Sequence, residues 1–330
     1  MKISFCTTVM NRVHHLQETL PNNLESCNND EEVEFVILDY NSKDGLADWM
    51  KENIVKFGTK VKNYHTKEPQ FYNRSHSRNM AFRLAKGEIL VNLDADNFVG
   101  EGFVNYLKKT FAENNSCFVC PSHDASTDTF GKVAFAKNDF YNLKGYDEAI
   151  ECYGFEDFDI KSRLLNLGRK DINFSELNFL KAISHTTEER IKNERIYGQI
   201  DKILVHKIDY TKSTLILTFR DYSFESASII DKYFEYEKNS FIKPLELLNR
   251  YIIEPNSIKS GKTQDLDLSY FEEITADNLK IDIIHYYSQL KNKSRYLKNQ
   301  ETGLSEINKS GFGCGVVYFN FDYDNPITLS

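Results

Sequence analysis

No stretch of this chain approaches the roughly 20 consecutive apolar residues that a membrane-spanning helix needs. The segment Met1-Lys2-Ile3-Ser4-Phe5 runs straight into strand-like sequence without the pattern of a secretory signal. These two absences lead us to expect a cytoplasmic protein, with peripheral contact at the inner face of a membrane as the closest approach to lipid. A paired cysteine framework is also missing. The six cysteines (Cys6, Cys27, Cys117, Cys120, Cys152, Cys314) show no regular pairing, which agrees with a reducing compartment. Cys117-Phe118-Val119-Cys120 lacks a second Cys pair or Cys/His partner at zinc spacing, so its thiols are expected to be buried and structural. An excess of basic charge is absent as well. The formal net charge of −8 argues against nucleic acid as the main partner, because phosphate backbones demand a basic face. A negatively charged ligand would then need local cations or a metal.

What is present centres on Ile89-Leu90-Val91-Asn92-Leu93-Asp94-Ala95-Asp96-Asn97, an apolar run that stops at two carboxylates. A short Ile/Leu/Val run fits a strand covered on both faces, and ligands bind beyond the carboxyl ends of such strands in open α/β sheets. Two hard oxygen ligands there suit Mg²⁺ or Mn²⁺ holding a diphosphate. Asp-x-Asp recurs at Asp157/Asp159, Asp265/Asp267 and Asp322/Asp324, but only Asp94/Asp96 ends a clean apolar run.

Around that run, strand and helix patterns alternate. Strands are expected at Lys2–Val9, Glu34–Asp39 and Val61–Tyr64, with helices through Leu16, Leu20 and Leu24, over Leu46–Phe57, and through Met80–Ala85. Lys86-Gly87 ends the last of these, and the apolar run follows. This order calls for a parallel, doubly wound sheet. Farther on come a helix at Gly102–Glu113, strands at Cys117–Pro121 and Gly131–Ala136, and a helix at Lys137–Leu143. Tyr153-Gly154-Phe155-Glu156-Asp157-Phe158-Asp159 opens another helix, where acids also serve the helix dipole. Ala182–His185 reads as a strand end before a charged helix. A lone histidine is usually structural, yet His185 follows a second acidic loop, where a further metal ligand would be wanted. Beyond Tyr210 we expect a strand at Thr214–Phe219, a helix at Ala227–Tyr236, a polar linker at Asn256–Gln264, an amphipathic, partly basic helix at Asn278–Asn299 and a strand at Val316–Phe321. At 330 residues the chain suits one large α/β domain, residues 1–205, and a smaller α+β accessory region, residues 206–330.

The order of these acid clusters and the histidine resembles an inverting GT-A glycosyltransferase of the family-2 type, including the galactosyltransferase and N-acetylgalactosaminyltransferase groups with a Gly-Gly-Glu-Asp loop. The resemblance spans roughly residues 2–195 and implies a Rossmann-like, mostly parallel sheet. It places Thr8, Val9, Arg12 and Asp39 around a uridine base and ribose, with Arg78 near the same pocket offsetting donor charge. Asp94 would face the ribose or donor sugar. Asp96 and His185 would bind Mn²⁺ or Mg²⁺, although Ala182 stands where some galactosyltransferases have a methionine ligand. Tyr153 and Gly154 would line the acceptor site with Glu156, Phe155 replaces the second glycine, and Asp157 would be the general base.

The resemblance therefore implies a metal-dependent β-glycosyltransferase. Its donor would be UDP-galactose or UDP-N-acetylgalactosamine and its acceptor a carbohydrate or lipid-linked sugar, in surface polysaccharide synthesis. A UDP-glucose or UDP-N-acetylglucosamine enzyme would keep the same Asp39, Asp96 and Asp157. A sugar nucleotidyltransferase of the same fold is disfavoured by the lack of a Gly-rich, Lys-containing phosphate loop after the first strand. A non-catalytic sugar-binding scaffold is the remaining alternative.

Overall fold

The computed structural model describes residues 1–27, 30–122, 125, 127–232 and 251–330. The chain divides into two compact units. The first comprises Met1–Glu151, Glu156–His185 and Asn299–Ser330; the second comprises Cys152–Phe155 and Thr186–Lys298.

The first unit is α/β. Its strands are β1 (Ile3–Val9), β2 (Val33–Tyr40), β3 (Val61–Thr66), β4 (Ile89–Asn92), β5 (Cys117–Pro121), β6 (Ala134–Ala136) and β7 (Lys170–Phe174). Its helices are α1 (Val13–Ser26), α2 (Leu46–Phe57), α3 (Arg74–Leu84), α4 (Phe103–Glu113), α5 (Lys137–Asn142) and α6 (Glu156–Asn166). β1 pairs in parallel with β2 and β4, β2 with β3, and β5 with β7, whereas β6 runs antiparallel between β4 and β5. Helices cover both faces, so every residue of β2 is buried. Phe35 and Ile37 join the core with Leu16, Leu20 and Phe103; Val36 and Leu38 join the opposite one with Met80, Phe82 and Ile160. This two-sided burial is why β2 and β4 read as continuous apolar runs.

Two late strands extend this sheet: Gly315–Phe319 lies antiparallel to β3, and Ile327–Leu329 pairs with it in turn.

The second unit has its own core around Ile203, Leu217, Ala227, Ile284 and Tyr287. Its sheet comprises β8 (Ile200–Lys207), β9 (Lys212–Phe219), β10 (Ser223–Asp231), β11 (Tyr251–Ile253), β12 (Lys259–Lys262) and β13 (Glu272–Glu273). Its helices are the short α7 (Thr187–Ile191) and α8 (Arg195–Gln199) and the long α9 (Asp277–Thr302), whose residues from Asn299 onward belong with the first unit. The two late strands of the first unit are β14 and β15.

Three expectations are corrected. Residues 227–231 are strand, not helix: Ala227 pairs with Leu215 and Ile229 with Ser213 across β9, a ladder that overrides a locally ambiguous Ser/Ala/Ile mixture. Residues 233–236 of that expected helix lie outside the described residues. The polar stretch after Asn256 is not all linker, because Lys259–Lys262 pairs with β10 while keeping its side chains exposed. His185 does not end a strand. Only an isolated bridge, Asn97 to Ala182, precedes it.

Candidate active site

β4 carries the chain to the edge of the site. Leu93 N–H donates to Cys6 O (3.0 Å), and Thr7 Oγ1 donates to Leu93 O (2.7 Å), so the peptide before the acid pair is tied to β1. Asp94 and Asp96 then turn to different partners.

Asp94 faces Arg78 of α3. The Arg78 guanidinium donates through Nη2 to Asp94 Oδ1 (3.1 Å) and through Nη1 to Asp157 Oδ1 (2.9 Å) and Glu156 Oε1 (3.3 Å). Three carboxylates thus converge on one buried cation. Burial alone would favour the neutral guanidine, but the charges of Asp157, Asp94 and Glu156 raise Arg78 above its ordinary value, so it stays charged. Glu156 is pushed up, first by burial and then by the Asp157 charge, against the pull of Arg78. Its Oε2 is buried without a hydrogen-bond partner. Gly131 walls this cluster. A Cβ there would sit 2.9 Å from Asp94 Oδ2, 3.1 Å from Asp157 Oδ2 and 3.2 Å from Arg78 Nη2.

Glu156 and Asp157 open α6, where the helix dipole favours acids. Arg163 fixes that helix: Nε donates to Asp159 Oδ2 (2.8 Å), and Nη1 donates to the carbonyls of Leu143 and Gly145 (2.8 Å each).

Asp96 faces His185. His185 Nε2 lies 2.7 Å from Asp96 Oδ2, and Asn97 Nδ2 donates to Asp96 Oδ1 (2.8 Å). Burial pushes the Asp96 carboxyl up, but hydrogen bonds from His185 and Asn97 and the nearby imidazole charge outweigh it and hold the group low. Main-chain pairing makes this meeting possible. Phe98 N–H donates to Lys181 O (3.0 Å) and Ile183 N–H to Asp96 O (2.9 Å), so the two acid- and histidine-bearing segments run side by side.

Two residues here were not anticipated. His15 on α1 has its ring 5.7 Å from that of His185. Burial, aided by His14 and Arg12, lowers it to about 4, keeping it neutral. The buried Lys132 donates through Nζ to the carbonyls of Phe98 (2.7 Å) and Phe179, one on each of the paired segments. Burial lowers its ammonium to about 7, against the opposing charges of Asp94 and Asp96.

Asp96 and His185 suit a divalent cation by donor chemistry, pairing a carboxylate oxygen with an imidazole nitrogen. Among the described residues no group of three or more His, Cys, Asp or Glu is arranged to hold a metal ion. A cation at this pair would therefore take its other ligands from bound substrate and water.

The remaining expected donor residues lie at the carboxyl ends of β1 and β2. Asp39 is buried and accepts from Ser42 N (2.8 Å) and His65 Nδ1 (2.9 Å). Thr8 Oγ1 is 2.7 Å from Tyr72 OH, Val9 O accepts from Ser42 Oγ (3.3 Å), and Arg12 precedes α1 as its N-cap. Tyr153 and Gly154 belong to the second unit. There Arg190 Nη1 donates to Tyr153 OH (2.7 Å), and Asn292 Nδ2 donates to Gly154 O (2.9 Å). Phe155 retains a left-handed φ of 71°, the backbone that a glycine would hold at no cost.

Among the described residues no helix is long and apolar enough to cross a membrane. No curated protein matches this chain significantly. Solved structures similar to part of this chain include a mannosyltransferase from Pyrobaculum calidifontis in complex with GDP-Man and Mn²⁺ (19% identity, 56% of this chain and 57% of that one, TM-score 0.48). Others are S. aureus TarS 1-349 in complex with UDP-GlcNAc (14% identity, 57% and 63%, TM-score 0.41) and GalNAc-T7 with UDP, GalNAc and Mn²⁺ (17% identity, 52% and 42%, TM-score 0.46). The chain thus spans less than two thirds of each of these. Residues 4–173 match the Glycosyl transferase family 2 profile, and the chain belongs to that family.

Proposed function

We propose that this glycosyltransferase is metal-dependent and inverting, moving galactose or N-acetylgalactosamine from a UDP-sugar to a hydroxyl of a carbohydrate or glycolipid acceptor, in surface polysaccharide synthesis. The observation that carries this reading is the single guanidinium of Arg78 bound to Asp94, Glu156 and Asp157. It joins the acid of the Asp-x-Asp loop to the two acids of α6, so a donor-side and an acceptor-side carboxylate share one fixed centre.

In this reading Asp157 is the general base, taking the proton from the acceptor hydroxyl as that oxygen attacks the anomeric carbon. The bond from that carbon to the diphosphate oxygen breaks, and the nucleoside diphosphate leaves with the electron pair. Attack from the opposite face turns an α-linked donor into a β-linked product. Arg78 holds the Asp157 carboxylate in place. Glu156, raised by burial, is the residue that hydrogen-bonds the acceptor sugar in this reading. Asp39, Thr8, Val9 and Arg12 hold the nucleoside, and Tyr153 and Gly154 contribute to acceptor binding. Asp96 and His185 would hold Mn²⁺ or Mg²⁺, which neutralises charge on the departing diphosphate when bound. Residues 1–205 are the catalytic domain in this reading, and residues 206–330 are accessory apart from β14 and β15, which join the sheet of the first unit, with peripheral membrane contact and a cytoplasmic site of action.

Thermal-shift screening of UDP-sugars with Mn²⁺ tests the donor assignment. Stabilisation by UDP-galactose or UDP-N-acetylgalactosamine above other UDP-sugars supports it, and no stabilisation by any UDP species contradicts it.

A further inference from the structure

The family match ends at residue 173, yet the chain returns to the same sheet far beyond it. β14 pairs with β3 so that Tyr318 lies opposite His65. His65 is the residue whose Nδ1 contacts Asp39 at 2.9 Å, at the carboxyl ends of the parallel strands where ligands of such sheets bind. Immediately after β14 the backbone turns sharply. Asn320 and Phe321 are both left-handed, with φ of 45° and 66°. Asparagine tolerates that region, but phenylalanine pays about 1 kcal/mol or more for it. Asp322 N–H then donates to Phe319 O (2.9 Å) and Tyr323 N–H to Phe321 O (3.0 Å), which fixes Tyr323 in place.

The turn sets the Tyr323 ring edge-on to the His65 ring, with centroids 6.0 Å apart at 89°. Lys67 Nζ lies 3.9 Å from the Tyr323 centroid and 5.1 Å from that of Tyr318, and the two tyrosine rings are 5.3 Å apart. Tyr323 nevertheless remains 42% exposed. An aromatic ring held by a cation, a histidine and a strained turn, yet left open, is poorly explained by packing. Local strain of this kind collects at ligand sites.

We propose that the C-terminal segment completes the donor site, with Tyr323, braced by Lys67 and His65 beside Asp39, as the platform on which the base of a nucleoside diphosphate stacks. This deepens the donor reading above and rests on it. Stacking of a base on an aromatic ring tolerates any base, whereas Asp39 and its histidine offer the polar contacts that choose among them.

The test is equilibrium binding of UDP and of inorganic diphosphate, by calorimetry, to the full-length wild type, Tyr323→Ala and Tyr323→Phe, with melting temperature measured alongside. The proposal predicts that Tyr323→Ala weakens UDP binding by about tenfold or more while diphosphate binding and melting temperature hold. Tyr323→Phe, which keeps the ring, should stay within about twofold of wild type. A Tyr323→Ala variant that binds UDP as tightly as wild type overturns this inference and leaves the donor reading standing. A wild type that binds no UDP overturns both.

Discussion

Arg78 Nη1 lies 2.9 Å from Asp157 Oδ1, so the residue assigned as general base is held by a buried arginine before any substrate arrives. The same guanidinium also holds Asp94 and Glu156. Removing the cation leaves three crowded carboxylates uncompensated. Breaking a buried ion pair costs about 3–5 kcal/mol, and the solvent reaching Asp94 places Arg78→Ala at the lower end. Arg78→Lys keeps the charge but not the planar fork, so it should recover much of the stability and little of the turnover. Denaturant unfolding and a turnover assay on both variants check this. Equal activity in Arg78→Lys and wild type would contradict it.

Asp157→Asn keeps shape and removes the base. We predict turnover lower by at least about 100-fold, with UDP affinity close to wild type, because the chemistry and not nucleotide binding is lost. Single-turnover kinetics beside a UDP titration separates the two. A parallel loss of UDP affinity would mean that Asp157 serves the donor instead.

Gly131→Ala places a methyl within 3.2 Å of Asp94, Asp157 and Arg78. The side chains must move apart to admit it. The expected result is a turnover loss of about tenfold or more from misplacement of the reacting groups, with little change in melting temperature. Unchanged activity would show that the cluster's spacing is not critical.

Lys132 gives a pH dependence. Its ammonium is lowered to about 7 in the folded chain from the ordinary 10.5, so between those values the unfolded chain binds more protons. Stability from this group therefore rises as pH climbs from about 7 towards 10.5, and the burial cost is fully present below that window. Lys132→Met lacks this dependence and leaves the Phe98 and Phe179 carbonyls without their donor. Its melting temperature should lie below wild type, by a margin that widens between pH 7 and pH 9. A constant or narrowing margin would contradict the assignment.

At Phe155 the left-handed φ of 71° sets two effects against each other. Phe155→Gly relieves about 1–2 kcal/mol of backbone strain but gives up a ring contact with Tyr296 worth about 1 kcal/mol, so its stability should differ little from wild type. Phe155→Val loses the ring and keeps the strain with a β-branched residue. Chemical denaturation should order the variants with valine clearly least stable.

Much of the first unit was legible because β1, β2, β4 and β5 are buried on both faces, whereas the largely exposed β7 carries no such apolar run. Ile89–Leu93 has no polar side to confuse with a helix except Asn92, and the run stops at Asp94, whose side chain turns to Arg78 while the residues after it stay buried. Arg78 and Asp39 entered through the family resemblance alone, and nothing in the sequence pointed to the contacts of Arg78 with Glu156 and Asp157, which join segments remote in sequence. Lys132 was invisible for a different reason. A lysine is ordinarily a surface residue, and nothing local marks this one as enclosed by two carbonyls. His15 lies on an amphipathic helix whose pattern says only that it faces inward. In the second unit, residues 227–231 were misread because Ser, Ala and Ile suit either structure until a partner strand decides. The β12 strand carries exposed Lys and Ser side chains and so leaves no apolar signature. Tyr323 is the middle residue of Asp322-Tyr323-Asp324, an Asp-x-Asp that looks like any acidic turn, and only the pairing of β14 with β3 brings it to Asp39's neighbour.

The central claim, a metal-assisted transfer from a UDP-sugar, is tested most directly by following UDP release from a panel of UDP-sugars incubated with the purified protein and Mn²⁺, with and without EDTA. The account predicts slow hydrolysis of one preferred donor, a galactose or N-acetylgalactosamine nucleotide, that EDTA abolishes. No release from any donor, together with a melting temperature indifferent to UDP-sugars, Mn²⁺ and EDTA, would contradict it.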